Sequence, residues 1–122
     1  MKTLLIPILL LLSMAGFSQS GLTSKDIINK GLLYQFTGGD IYIVISSDST
    51  VFWRDDSKPK EANERAKTLH IDEHTIMTSW YESDKTFVTL VSDFSKLKVT
   101  GMICRADGRF YPIEGVIKLK TN

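Results

Sequence analysis

The sequence has few residues of the kinds that cross-link a small domain or hold a metal ion. Cys104 is the only cysteine in 122 residues, which excludes an internal disulfide and a zinc site built from a cysteine cluster. The two histidines are His70 and His74. His70 falls in a predicted strand and His74 at the end of a turn, so nothing arranges them as a ligand pair. We therefore predict no metal site.

The chain also lacks an excess of charge of either sign. Fifteen lysines and arginines oppose fourteen aspartates and glutamates. If Lys2 is removed with the N-terminal segment described below, fourteen remain on each side, and there is no basic block. Nucleic acid and acidic membrane surfaces are therefore not expected as partners, because clustered positive charge recognises both.

Familiar catalytic and nucleotide-binding motifs are missing as well. The sequence contains no serine, histidine and aspartate in a catalytic order, no nucleotide-binding glycine loop and no cysteine nucleophile motif. Asp107 and Gly108 belong to a turn, because the other oxygen ligands of a calcium loop are absent. The sequence thus predicts no cofactor.

The only long apolar run lies at the N-terminus. It spans residues 4–17 behind a short basic start, which is the length of a signal-peptide core and too short for a membrane span. Residues 1–20 are predicted to be a signal peptide, and residues 21–122 a single mature domain. An uncleaved anchor is the alternative, which Pro7, Ser13 and the low flanking charge disfavour. We expect a secreted or periplasmic protein without a stable membrane anchor.

The strongest pattern in the mature chain spans residues 75–93. Apolar and polar side chains alternate on both sides of a tight turn at residues 83–85, which predicts two long strands. Trp80 and Glu82 lie two residues apart and therefore share one strand face. If that face is the interior, burial raises the pKa of Glu82 and gives an acid that can protonate or anchor a ligand. The alternative places Glu82 at a solvated strand end.

Further strands are predicted on both sides of this hairpin. They cover residues 32–37, 40–47, 50–55, 65–71, 97–105 and 109–120. The glycines at positions 38 and 39 are predicted to form a two-residue hairpin loop. Residues 56–63 are charged and contain Pro59, so they are expected to form a solvated loop.

One short helix is predicted before the strands, from Thr23 to Lys30. Thr23 and Asp26 form a capping-box pattern, and Gly31 is expected to end the helix in a left-handed conformation. Two turns of helix are not stable alone. The helix is therefore expected to dock Ile27 and Ile28 on one end of the β-structure.

Eight consecutive strands with mostly short connections predict an antiparallel meander. Such a sheet has two exposed edges unless its first strand pairs with its last. We therefore predict an all-β protein, an eight-stranded antiparallel up-and-down barrel of the calycin or lipocalin-like kind, with a short N-terminal helix. Gly101 and Gly115 lie inside apolar strands and suit the bends of a small barrel. A β-sandwich of the same strands is the alternative.

Several segments carry a resemblance to a known family. They are Trp80-Tyr81-Glu82-Ser83-Asp84-Lys85-Thr86 with Val88 and Leu90, Gly31 with Tyr34 and Phe36, Trp53, Ser92-Asp93-Phe94 and Glu114-Gly115-Val116-Ile117. With these segments in order, most of the mature chain resembles the MoaF-like (molybdenum cofactor biosynthesis protein F-like) domain of the calycin group. The phenolic acid decarboxylases are distant relatives in that group. The resemblance implies a calycin barrel and no settled reaction.

The decarboxylases act without a cofactor, through a glutamate, an arginine and a pair of tyrosines. The resemblance maps the glutamate onto Glu82, the first tyrosine onto Tyr34 and the arginine onto Arg65. The second tyrosine is Phe36 in this chain. That replacement favours the MoaF-like side of the group over decarboxylation.

Two functions of different class follow from these residues. The first is a binding module that holds a small, partly apolar ligand between Tyr34, Phe36, Trp53, Trp80 and Glu82. The alternative is a cofactor-free decarboxylase of phenolic acids, with Glu82 delivering the proton while Arg65 and Tyr34 hold the substrate anion. The sequence is also compatible with a homodimer.

Overall fold

The structure, a computed structural model, describes residues 21–120. The predicted signal peptide lies outside the described residues. One helix precedes eight strands: α1 (Ser24–Ile27), β1 (Gly31–Phe36), β2 (Gly39–Ser47), β3 (Thr50–Asp55), β4 (Lys60–His70), β5 (Thr75–Tyr81), β6 (Phe87–Asp93), β7 (Lys98–Cys104) and β8 (Phe110–Leu119). No helix in residues 21–120 is long and apolar enough to cross a bilayer.

The strands form a closed antiparallel barrel in chain order. Each strand pairs with its neighbour in the sequence, and β8 closes the barrel on β1, with Tyr34 opposite Ile117 and Gln35 opposite Val116. This pairing confirms the predicted up-and-down barrel and excludes the sandwich. Closure removes the two free edges that an open eight-stranded sheet would expose.

Alternation along the strands divides the barrel into an inner and an outer face. In β5, Ile76, Thr78 and Trp80 are buried and face inward, whereas Tyr81 is exposed. Inward side chains from all eight strands fill one half of the interior and line a cavity in the other.

Two glycines allow neighbouring strands to approach closely. A Cβ atom at Gly101 would collide with the backbone carbonyl of Thr89 in β6, and one at Gly115 with the carbonyl of Gln35 in β1. These contacts explain why the inward face of β7 and of β8 carries a glycine at mid-strand, as the sequence predicted for a tightly curved barrel.

Helix α1 closes one end of the barrel, as predicted. Ile27 is completely buried. The N–H of Ser24 donates to the carbonyl of Glu73 at 2.8 Å, and the N–H of Asn29 donates to Ile45 at 2.9 Å. The carboxylate of Asp26 accepts the N–H of Thr23 at 2.9 Å, which stabilises the start of the helix.

The helix is nevertheless shorter than predicted. It ends at Ile27 instead of Lys30, because Ile28 is extended and Asn29 has a φ of 62°. Asparagine tolerates this left-handed conformation better than most residues. Gly31 was expected there, but it belongs to β1 and pairs with Val44.

The predicted loop at residues 56–63 is wrong in its second half, because β4 begins at Lys60. Ala62 lies opposite Trp53 and Glu64 opposite Val51 in the β3–β4 ladder. The inward residues here are small or acidic, so the segment lacks the apolar alternation that identifies a half-buried strand.

The first hairpin also turns one residue earlier than predicted. Phe36 pairs with Gly39 across a loop made of Thr37 and Gly38. Gly39 has a φ of 145°, a conformation that other residues rarely adopt. Glycine is therefore needed at the first residue of β2 and not only within the loop.

Candidate functional site

A cavity of about 450 Å³ occupies the end of the barrel opposite α1. Its apolar walls come from inward residues of seven strands, among them Phe36, Ile41, Ile43, Trp53, Trp80, Val88, Leu90, Ile103 and Ile113. Residues in or beside four hairpin turns surround its mouth, including Gly38, Lys58, Asp84 and Arg105. A cavity of this size fits one small organic molecule.

The two tryptophans of the chain both line this cavity, and both are held by carboxylates. The indole N–H of Trp53 donates to Glu64 at 2.9 Å, and that of Trp80 donates to Glu82 at 3.2 Å. Trp80 is 4% exposed. These bonds orient the rings, so the aromatic surface is in place before any ligand arrives.

Glu82 lies half-buried between the aromatic wall and the mouth. Burial raises the pKa of this carboxyl above its ordinary value, and the nearby charges of Asp84 and Glu64 raise it further. The bond from Trp80 and the charge of Arg105 lower the pKa and offset part of this rise. Glu82 therefore holds a proton at a higher pH than an exposed glutamate does.

Arg105 is a cavity residue that the sequence reasoning missed. Its guanidinium donates from Nη2 to the hydroxyl of Tyr111 at 2.7 Å and from Nη1 to Oγ1 of Thr86 at 3.5 Å. It continues the inward alternation of Ile103, and that period of two was the available signal. Glu64 was missed because it fell between the loop predicted at residues 56–63 and the strand predicted from Arg65.

Arg65 does not line the cavity. It is exposed, whereas its neighbour Ala66 is buried and lies opposite Trp80. Because successive side chains of a strand point to opposite faces, Arg65 faces outward. The structure therefore contradicts its assignment as the residue that holds a substrate anion inside the barrel.

Tyr34 lies deeper than predicted. It is 1% exposed, its hydroxyl is hydrogen-bonded to Ser92 Oγ at 2.7 Å, and it is not among the cavity-lining residues. Burial raises the pKa of Tyr34 well above its usual range. The structure thus brings Phe36, Trp53, Trp80 and Glu82 together around one cavity and leaves Tyr34 in the core beneath them.

The two histidines lie at the other end of the barrel and make separate contacts. His70 Nε2 lies 2.8 Å from an oxygen of Asp48, and His74 Nδ1 lies 2.6 Å from the carbonyl of Leu22. Within residues 21–120, no group of three or more histidine, cysteine, aspartate or glutamate side chains is arranged to hold a metal ion.

Eight antiparallel strands closed around an open-ended cavity define an up-and-down β-barrel of the calycin kind. The MoaF-like family model matches residues 28–118, and the chain belongs to this family. A search of curated proteins returned no match.

Among solved structures, the chain is similar to one from Burkholderia vietnamiensis described as a "putative beta-lactamase". The TM-score is 0.71 at 12% sequence identity, and the alignment covers 77% of this chain and 95% of the other. At this identity, the likeness shows a shared fold and nothing further about function.

Proposed function

We propose that the protein is an exported binding module that holds one small, partly apolar molecule in the barrel cavity. The observation that carries this proposal is the open-ended cavity of about 450 Å³ walled by Phe36, Trp53 and Trp80. Apolar and aromatic walls with a few polar groups are typical of small-molecule sites. Transfer of apolar ligand surface from water to these walls would supply most of the affinity.

The arrangement of the walls supports binding without a large structural change. Hydrogen bonds to Glu64 and Glu82 hold both indoles, so little side-chain freedom remains to be lost when a ligand enters. Polar residues lie around the mouth and apolar residues lie deeper. A ligand would therefore place its apolar body inside and its polar group towards solvent.

Both tryptophans line the cavity, so intrinsic fluorescence is a direct test of occupancy. We expect N-phenyl-1-naphthylamine, a neutral apolar dye, to quench the tryptophans saturably. Ile103→Phe fills part of the cavity and should weaken binding about tenfold or more, equivalent to about 1.4 kcal/mol.

Met102→Phe is the matched control, because Met102 neighbours Ile103 on the same strand, is 37% exposed and does not line the cavity. It should leave the affinity unchanged. Equal affinities for the two variants would contradict binding in the cavity.

Export is the second part of the proposal and rests on the apolar run at residues 4–17. N-terminal sequencing of the protein from the exported fraction should give a mature chain that starts near Gly21. Recovery of an intact Met1 in a membrane pellet would contradict this.

A cofactor-free lyase acting on phenolic acids is the second candidate function. The raised pKa of Glu82, in the same cavity as the cation of Arg105, favours it. Glu82 would deliver a proton to the carbon that loses carbon dioxide, and Arg105 with Tyr111 would replace Arg65 and Tyr34 as the anion-holding pair. Incubation with hydroxycinnamic acids should then bleach their ultraviolet absorbance, and Glu82→Gln should abolish the change. Saturable quenching without turnover favours the binding module.

A further inference from the structure

We propose that the ligand is an amphipathic organic anion, with its negatively charged head held by Arg105 at the mouth of the cavity. This inference rests on the proposed binding function and names the chemical class of the ligand. It follows from how the charged groups around the mouth are partnered.

Arg105 is held in place by neutral groups. Its hydrogen bonds go to the hydroxyls of Tyr111 and Thr86, and the guanidinium carbon lies 5.7 Å from the centre of the Tyr111 ring. Within residues 21–120, no carboxylate oxygen lies within 4.0 Å of its nitrogens. An arginine has five N–H donors in a planar fork that matches a carboxylate. Donors therefore remain for an anion.

Three carboxylates line the mouth, and two of them accept hydrogen bonds within the turns to which they belong. Asp84 accepts the N–H of Thr86 at 2.9 Å, and Asp55 accepts the hydroxyl of Ser57 at 2.6 Å and its N–H at 3.0 Å. These bonds hold the pKa of both aspartates below its usual range. One oxygen of each aspartate is therefore engaged in its own turn. Neither aspartate lies within 4.0 Å of the nitrogens of Arg105, although the charge of Arg105 also lowers the pKa of Asp84.

The positively charged side chains at the mouth are not neutralised by contact with these carboxylates. Lys58 and Lys60 also line it, and neither has a carboxylate partner within 4.0 Å in the described part of the chain. Formal charges balance at three of each sign only when Glu82 is ionised along with Asp55 and Asp84. An anionic head therefore meets cations that have no carboxylate in contact, whereas the three acids of the mouth already accept hydrogen bonds from the protein.

The opposite assignment, a cationic ligand between the tryptophans, has weaker support. Glu64 and Glu82 each already accept an indole N–H. The side chains of Arg105, Lys58 and Lys60 would repel a cation at the mouth. The observations therefore favour an anionic head, with the apolar body of the ligand against the aromatic walls.

Two probe series with constant bodies and different heads test this inference. They are 3-phenylpropanoate, 3-phenylpropan-1-ol and 3-phenylpropylamine, and decanoate, decanol and decylamine, titrated by tryptophan quenching of the purified protein. In at least one series, the carboxylate should bind about ten- to a hundredfold tighter than the alcohol, which is the typical effect of one charge-assisted hydrogen bond.

Arg105→Gln should remove this preference, so that carboxylate and alcohol bind alike and the alcohol keeps its wild-type affinity. Arg105→Lys should retain part of the preference, because it keeps the charge and loses the planar fork. Arg109→Gln is the matched control, since Arg109 is exposed, pairs with Asp107 at 2.7 Å and lies outside the cavity lining. It should leave the preference intact.

Each other outcome overturns the inference in a recognisable way. Equal binding of carboxylate and alcohol, or tightest binding of the amine, would refute the anionic head and leave cavity binding standing. A parallel loss of carboxylate and alcohol binding in Arg105→Gln would assign Arg105 to the structure of the mouth alone. If no probe binds, N-phenyl-1-naphthylamine included, the proposed function fails together with the inference.

Discussion

The two ends of the barrel differ in how closely their side chains are packed and in whether their polar groups have partners within the protein. At the end closed by α1, Ile27, Leu32 and Phe94 are completely buried, and backbone N–H groups of the helix segment donate to neighbouring strands and turns. At the open end, Trp53 and Phe36 are only partly buried beside a cavity, and Arg105 has no carboxylate partner among the described residues.

This difference separates stability from ligand binding within one small barrel. Close packing stabilises a fold because every buried atom keeps its dispersion contacts. Atoms that line a cavity lack those contacts on one side, and polar groups there remain available to a ligand. We therefore expect substitutions at the closed end to change the free energy of unfolding, and substitutions at the open end to change mainly affinity.

The largest expected effect on stability is at the closed end. Phe94→Ala should lower the free energy of unfolding by about 3–5 kcal/mol, because it leaves a void in a packed core. Phe36→Ala is the matched change at the cavity and should cost about 1–2 kcal/mol, since its ring is partly exposed. Urea unfolding of both variants measures the difference. Equal losses would break the comparison between the two ends.

Tyr34 lies between the two regions, and its substitution should affect stability alone. Tyr34→Phe removes the hydrogen bond to Ser92 and should cost about 1–1.5 kcal/mol. The affinity for N-phenyl-1-naphthylamine should stay unchanged, because Tyr34 does not line the cavity. A loss of affinity without a loss of stability would indicate that Tyr34 contacts the ligand after all.

Glu82→Gln should produce a smaller, pH-dependent effect at the open end. The folded state binds the Glu82 proton more tightly than the unfolded chain, so the protonated form stabilises the fold. That stabilisation is complete below the ordinary pKa of 4.5 and is lost as the pH rises through the folded pKa. The variant lacks this loss and should be more stable than wild type at pH 7, by on the order of 0.5 kcal/mol for a half-exposed group.

Unfolding curves of the wild type and of Glu82→Gln between pH 4 and pH 8 would show the two stabilities diverging as the pH rises. A constant difference across that range would mean that the pKa of Glu82 is not raised in the folded state.

The smallest expected effect on stability comes from His74 at the closed end. It falls at a higher pH than the effect of Glu82. The bond to the carbonyl of Leu22 raises the pKa of His74, and the charges of Glu73 and Asp72 add to it. Stability from the protonated ring is therefore full below the ordinary value of 6.5 and is lost as the pH rises through the folded pKa. In His74→Gln, the loss of stability that comes from deprotonation of His74 should disappear, while the loss that comes from Glu82 remains. Thermal unfolding across pH 5 to 9 would show this.

Most of the barrel was predictable because its strands carry a local signal. Trp80 and Glu82 share a face by alternation alone, and both line the cavity. The strand at residues 60–70 was predicted only in part, because its inward residues include Ala62 and Glu64 instead of large apolar side chains. Here pairing with β3 and β5 decides the strand, and a single sequence does not report pairing.

The candidate site was predicted less completely than the fold. Arg65 was assigned by resemblance, but strand alternation turns it outward. Arg105, the first residue after β7, supplies a cation to the cavity instead. Tyr34 has the predicted inward orientation and lies too deep to reach the cavity. Depth along the barrel axis depends on the stagger of the strands, which no local pattern encodes.

The sequence by itself determined the alternation of inward and outward residues, and with it the number of strands and the closure of the sheet. These follow from the geometry of an extended chain and from the cost of unpaired edges. Only the tertiary structure decided that Arg105, Glu82 and the two tryptophans share one open end while α1 and Phe94 close the other. That arrangement depends on register and stagger between strands far apart in the chain, because contacts across the barrel are set when all eight strands pair at once.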